Sequence, residues 1–184
     1  MSHGFEMHAP AKPLVPANPM LAAISRLLDK YNKLAVFLAM VALLLTSAIL
    51  TYSVVVRYFF NHPTDWQDEA SVFMLVGVIF LCSAFVQSLR GHIGIEALAG
   101  LLSPMANRIR LFIVDVFSFA FCAFFAWKSW TLFHEAWVDG QTTSSTFAPP
   151  LWIPYSMMAI GMSMLTLQLL VQVLVRITGT KEAA

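Results

Sequence analysis

Residues 34–56 read LAVFLAMVALLLTSAILTYSVVV. These 23 positions carry no charge, with Lys33 before them and Arg57 after them. About 20 apolar residues, rising about 1.5 Å each in a helix, cross the hydrocarbon core of a bilayer. Backbone polar groups in lipid must be satisfied within the segment, so the stretch reads as a transmembrane helix. Three further stretches match it. They are 70–89, between Glu69 and Arg90; 111–133, whose core 111–127 lies between Arg110 and Lys128 and holds one acid, Asp115; and 151–175, which follows Pro149-Pro150 and ends before Arg176. The period-two alternation of barrel strands is absent. The sequence predicts an all-α integral membrane protein with four transmembrane helices.

Composition supports this. Hydrophobic residues make up 59% of the 184 positions and charged residues 11%, and mean hydropathy is +0.73. Soluble domains carry about 25% charge. A soluble enzyme, a nucleic-acid binder and a disulfide scaffold are all disfavoured. Cys82 and Cys122 lie in apolar runs with no Cys or His nearby, as small buried hydrophobes do. The histidines, at positions 3, 8, 62, 92 and 134, all fall outside the membrane cores, which leaves no axial ligands for haem. No Walker motif, catalytic triad or metal-ligand spacing occurs. The chain reads as non-catalytic, with no cofactor and no metal.

Nine Lys and Arg lie in the N-terminal segment, the second loop and the C-terminal tail, against Arg57 and Lys128 in the other two loops. The positive-inside rule then predicts both termini in the cytoplasm. Asp65, Asp68, Glu69, Glu135 and Asp139 lean to the outer side. Trp66, Trp127, Trp130, Trp137 and Trp152 fall near the same outer boundary. They suit an interfacial aromatic belt, with docking of a partner protein as the alternative. Span one is too long for a cleavable h-region and reads as both signal and anchor.

Residues 1–18, with Pro10, Pro13 and Pro16, read as a disordered cytoplasmic tail, and 177–184 as a second tail. The region 19–176 reads as a single four-helix membrane domain. Asn18 and Pro19 suit a helix start. Met20, Leu21, Ile24, Leu27, Leu28 and Tyr31 follow at steps of mostly three and four. That stripe predicts a short interfacial amphipathic helix; the alternative is a plain extension of span one. Ile95, Leu98 and Leu102 suggest a second such helix in the second loop. Ser103-Pro104 then reads as the start of the third long helix, which should run to about His134 and tilt or protrude.

Two polar features stand out. Asp115 is an acid inside span three, on a face shared with Ser118, Cys122, Ala126 and Ser129. An intramembrane acid is costly and points to function by default. A structural ion pair with Arg90 or Arg108 is the expected explanation. Asp68-Glu69 opens span two, where acids favour a helix N-terminus, and Arg57 should pair with Glu69 across the hairpin. Ala35, Ala39, Ala42 and Thr46 line one side of span one. Ala70, Gly77, Ala84 and Ser88 line one side of span two. Such stripes let helices approach closely.

A set of short motifs occurs in order around the four spans: Arg57-Tyr58-Phe59-Phe60-Asn61, Trp66-Gln67-Asp68-Glu69, Arg90-Gly91-His92-Ile93, Gly140-Gln141, Pro150-Leu151-Trp152 and Gly161. Over roughly residues 33–176 the chain resembles the small, four-span membrane subunit of tripartite ATP-independent periplasmic (TRAP) transporters. That family often has an Asp a few residues after its His-Ile; this chain has Glu96. The resemblance implies a sodium-coupled transporter for an organic acid in a bacterial inner membrane. A large membrane subunit would carry the substrate and sodium sites and move as an elevator. A periplasmic substrate-binding protein would deliver the substrate. The small subunit would act as scaffold and help dock the binding protein, among membrane lipids and without nucleic acid. Arg57, Trp66, Asp68, Glu69, Arg90, His92, Asp115, Gln141 and Trp152 are the candidate structural or interface residues. Two alternatives remain: a small self-sufficient dimeric exporter, which would rely on an acid in span one that this chain lacks, and a cofactor-free membrane anchor of a respiratory complex.

Overall fold

The computed structural model describes residues 19–61, 66–89 and 104–178. Within them lie four long helices: α1 (Pro19–Phe60), α2 (Trp66–Ser88), α3 (Pro104–Val138) and α4 (Trp152–Thr178). Each is long and apolar enough to cross a membrane. The other paired element is an isolated bridge between Thr142 and Pro150 in the α3–α4 loop.

Local chemistry sets the ends. Beyond α1, Asn61 takes a positive φ of 48°, a left-handed conformation that Asn tolerates at a helix end. Asp68 and Glu69 sit in the first turn of α2. α3 runs past His134 to Val138 because its stop signal is Gly140, at φ 62°. The Gln141 N–H bonds back to the Ala136 carbonyl at 3.1 Å, which closes a Schellman cap. Pro154 lies in the first turn of α4, where a missing N–H breaks no helical bond.

α1 corrects one expectation. Its 42 residues, about 63 Å long, form one helix, so residues 19–33 extend span one. No Gly or Pro separates the two parts. The amphipathic stripe is real, but it meets protein: Leu21 and Leu28 are buried with Val171 and Val175 of α4, beside Ile24, Met164 and Leu174. The second expected interfacial helix lies outside the described residues, as do the expected N-terminal tail and residues 179–184, whereas Ile177 and Thr178 of the expected C-terminal tail belong to α4.

The helices do not close into a four-cornered bundle. α4, last in the chain, is the centre: α2 and α3 both pack along it, and α1 packs mainly on α2 and touches α4. The spatial order is therefore a row, α1–α2–α4–α3. In α4, 44% of the most apolar stretch is buried within the molecule, against 11% in α3 and 17% in α1 and α2. The expected small-residue faces do the packing on α1 and α2, where Ala35, Ala39, Thr46, Gly77 and Ala84 are buried. α2 and α4 approach closely at Gly161, where an added Cβ would run into the Phe80 carbonyl. Backbone cannot swing aside as a side chain can, so only glycine fits that crossing. At Gly77 the nearest atom is the flexible Met157 Sδ, at 2.8 Å from an added Cβ.

Candidate functional site

Polar side chains that join one helix to another gather at the two ends of the row. One end carries the α1–α2 and α3–α4 loops. The other carries the start of α1 and the end of α4.

At the loop end, Arg57 donates to Asp68 at 3.3 Å, tying the last turn of α1 to the first turn of α2. This corrects the expected Arg57–Glu69 pair. Glu69 instead accepts from the Thr143 hydroxyl at 2.8 Å. Consecutive helix positions point about 100° apart, so one acid can face α1 while the next faces the α3–α4 loop. The other oxygen of Glu69, Oε2, is buried and has no hydrogen-bond partner among the described residues. The loop is held from within as well. Thr143 N–H donates to the Pro149 carbonyl, Leu151 N–H to the Gln141 carbonyl, and Gln141 Nε2 to Asp139 at 3.3 Å.

Aromatic rings line the same end. Trp130, Phe133, Trp137 and Trp152 form a chain of contacts with centroids 5.6, 6.1 and 5.0 Å apart. Trp130 Nε1 donates to Ser163 of α4 at 3.0 Å. Lys128 lies over the Trp127 ring, a favourable cation–π placement. Trp66, Trp127, Trp130 and Trp137 remain exposed.

At the opposite end, Asp115 pairs with Arg176 of α4 at 2.6 Å, with side chains 9% and 15% exposed. The sequence reading looked for Arg90 or Arg108. Arg90 and the Arg108 side chain lie outside the described residues, and the partner found is Arg176. Arg176 could have been anticipated: α4 runs antiparallel to α3, so its last turn returns to the depth of Asp115. Nearby, Gln87 Nε2 donates to Gln172 Oε1 at 2.9 Å, and Gln172 Nε2 donates to the Gln87 carbonyl at 3.1 Å. Sequence reasoning missed this pair. Two glutamines near the same ends of apolar helices were its signal.

Of the nine candidate residues, Arg57, Trp66, Asp68, Glu69, Gln141 and Trp152 gather at the loop end, Asp115 lies at the other, and Arg90 and His92 are outside the described residues. The charged groups brought together neutralise or bond one another. Such an arrangement fixes helices in register and presents aromatic surface at one end.

Sequence comparisons identify the family. Residues 46–179 match the family model for the DctQ component of tripartite ATP-independent periplasmic transporters. The chain is 25% identical over 123 residues to a putative TRAP transporter small permease protein of Haemophilus influenzae, covering 67% of this chain and 72% of that protein. It is 24% identical over 144 residues to the C4-dicarboxylate TRAP transporter small permease protein of Vibrio cholerae, covering 66% of this chain and 62% of that protein. No solved structure shows a significant match. A family-model match over residues 46–179, which takes in most of the four apolar helices, places this chain in the DctQ family of small TRAP transporter permease subunits.

Proposed function

We propose that this subunit is the stationary, non-catalytic wall of a sodium-coupled importer for an organic acid. It braces a large elevator-type membrane subunit in a bacterial inner membrane. The observation that carries the reading is the row of helices. A row buries little of itself and leaves two broad apolar faces: α3 exposes Phe117, Phe121 and Phe124, and α1 exposes Leu38, Leu44 and Val54. A wall needs wide lateral contact and a fixed internal register, and the cross-links at both ends supply the register. Its termini lie in the cytoplasm, as the positive-inside asymmetry favours. The loop end with its tryptophans then faces the periplasm, where a substrate-binding protein docks. The Vibrio cholerae relative, named for C4-dicarboxylates, favours an organic acid as substrate.

Reconstituted vesicles test this. The chain, its large membrane partner and the binding protein are combined, and uptake of labelled C4-dicarboxylate is followed under a sodium gradient. Uptake should require this chain, and the chain alone should move nothing. Solute movement by the chain alone, or full uptake without it, would overturn the proposal. For orientation, single cysteines at Ser2 and Ser144, in a background lacking Cys82 and Cys122, should react with impermeant reagent from opposite sides.

A further inference from the structure

Three cations near the start of α1 face away from the rest of the molecule. Arg26, Lys30 and Lys33 step by four and then three residues, which puts them on one helical face within about 10 Å. All three are exposed, and none makes an ion pair among the described residues. The opposite face holds Leu21, Leu28, Asn32 and Ala35, all buried. Asp29 is the one acid among residues 19–33, so the segment keeps a surplus of positive charge.

The same outward face continues into the apolar run. Lys33 adjoins Leu34, and Phe37, Val41 and Leu44 follow along that side at 58%, 40% and 73% exposure. A short row of cations therefore passes directly into a strip that suits acyl chains. That sequence of surfaces, cationic and then apolar along one helix face, matches a phospholipid: an anionic headgroup above hydrocarbon tails. Lys supplies mobile point charges suited to a phosphate diester, and Arg adds a fork of donors.

We infer that the outward face of Arg26, Lys30 and Lys33 binds an anionic phospholipid in the leaflet on the side of the chain termini. The inference goes beyond the transport reading and does not depend on it. It makes the start of α1 a headgroup anchor that fixes the depth of the helix row from one edge.

Native mass spectrometry of the full chain in detergent tests it, with phosphatidylglycerol and phosphatidylcholine titrated in parallel. A cation beside an anionic membrane surface is worth about fivefold in occupancy. Arg26→Gln/Lys30→Gln/Lys33→Gln should therefore bind phosphatidylglycerol roughly tenfold to a hundredfold more weakly, with phosphatidylcholine unchanged. The charge-preserving Arg26→Lys/Lys30→Arg/Lys33→Arg chain and Lys128→Gln should bind as the unaltered protein does. Lys30→Gln/Lys33→Gln replaces the triple variant if that variant loses helicity. Equal phosphatidylglycerol binding by the neutralised and unaltered chains would overturn the inference. So would displacement of the lipid by millimolar inorganic phosphate, which would mark a soluble-anion site. A neutralised chain that keeps its lipid but no longer co-purifies with the large membrane subunit would show the row to be a protein contact, and would equally overturn it.

Discussion

Two guanidinium–carboxylate pairs sit at opposite ends of the molecule. Arg57–Asp68 spans 3.3 Å with side chains 60% and 56% exposed, whereas Asp115–Arg176 spans 2.6 Å with side chains 9% and 15% exposed. The chemistry is the same and the surroundings differ. Water competes for the first pair and screens it, so it contributes little to holding α1 against α2. The second has surrendered most of its hydration. Arg176 in particular depends on its partner, because without Asp115 it would be a largely buried charge beside apolar helices. The contrast teaches that an ion pair's importance here follows from burial. The loop end is fastened by hydrogen bonds and aromatic packing, and the terminal end adds a buried ion pair to its Gln87–Gln172 bonds and apolar cluster.

That contrast can be broken experimentally, beginning with its strongest consequence. Asp115→Leu should destabilise the α3–α4 contact by about 3–5 kcal/mol, because Arg176 is left uncompensated. Thermal unfolding in detergent and co-purification with the large subunit both read this. Adding Arg176→Met to Asp115→Leu should recover most of the loss, since a packed apolar pair replaces a buried ionic one at little cost. If the double variant were no better than the single, the pair would have a role beyond neutralising itself. Next in size is Gln172→Leu, which removes both bonds to Gln87. Inter-helical hydrogen bonds in membranes average about 0.6 kcal/mol and reach about 1.7 kcal/mol, so the unfolding midpoint should drop measurably but modestly. The smallest effect belongs to Arg57→Ala, below about 1 kcal/mol. It should vanish further at high salt, where Asp115→Leu should lose nothing. An Arg57→Ala loss as large as that of Asp115→Leu would erase the distinction between the two ends.

The four helices were plain in the sequence because lipid imposes a length and a polarity that hydropathy records. Helix ends were less plain, because they answer to backbone chemistry. Span one begins at Leu34, yet its helix begins at Pro19, since nothing at Lys33 stops it. Span three was expected to end near His134, yet the cap lies at Gly140. The small-residue stripes on α1 and α2 were readable as packing faces. What they packed against was not, because helix order in space is a long-range property. For the same reason Asp115 was recognised as needing a cation while Arg176 went unnamed. Arg57 was matched to the wrong member of Asp68-Glu69 because the two acids point about 100° apart and the sequence does not say which of them faces α1. Gly161 was noticed as part of a motif; the approach of Phe80 supplies its physical reason.

The central position of α4 bears on how the protein is made. A ribosome releases α1 and α2 first, and they can pair at once as a hairpin. α3 then enters the bilayer with Asp115 exposed and its packing partner still unsynthesised. The final 27-residue helix brings Arg176 to the acid and joins the two halves. A nascent chain stalled before Trp152 would thus be a hairpin and a stray helix, an obvious target for membrane quality control.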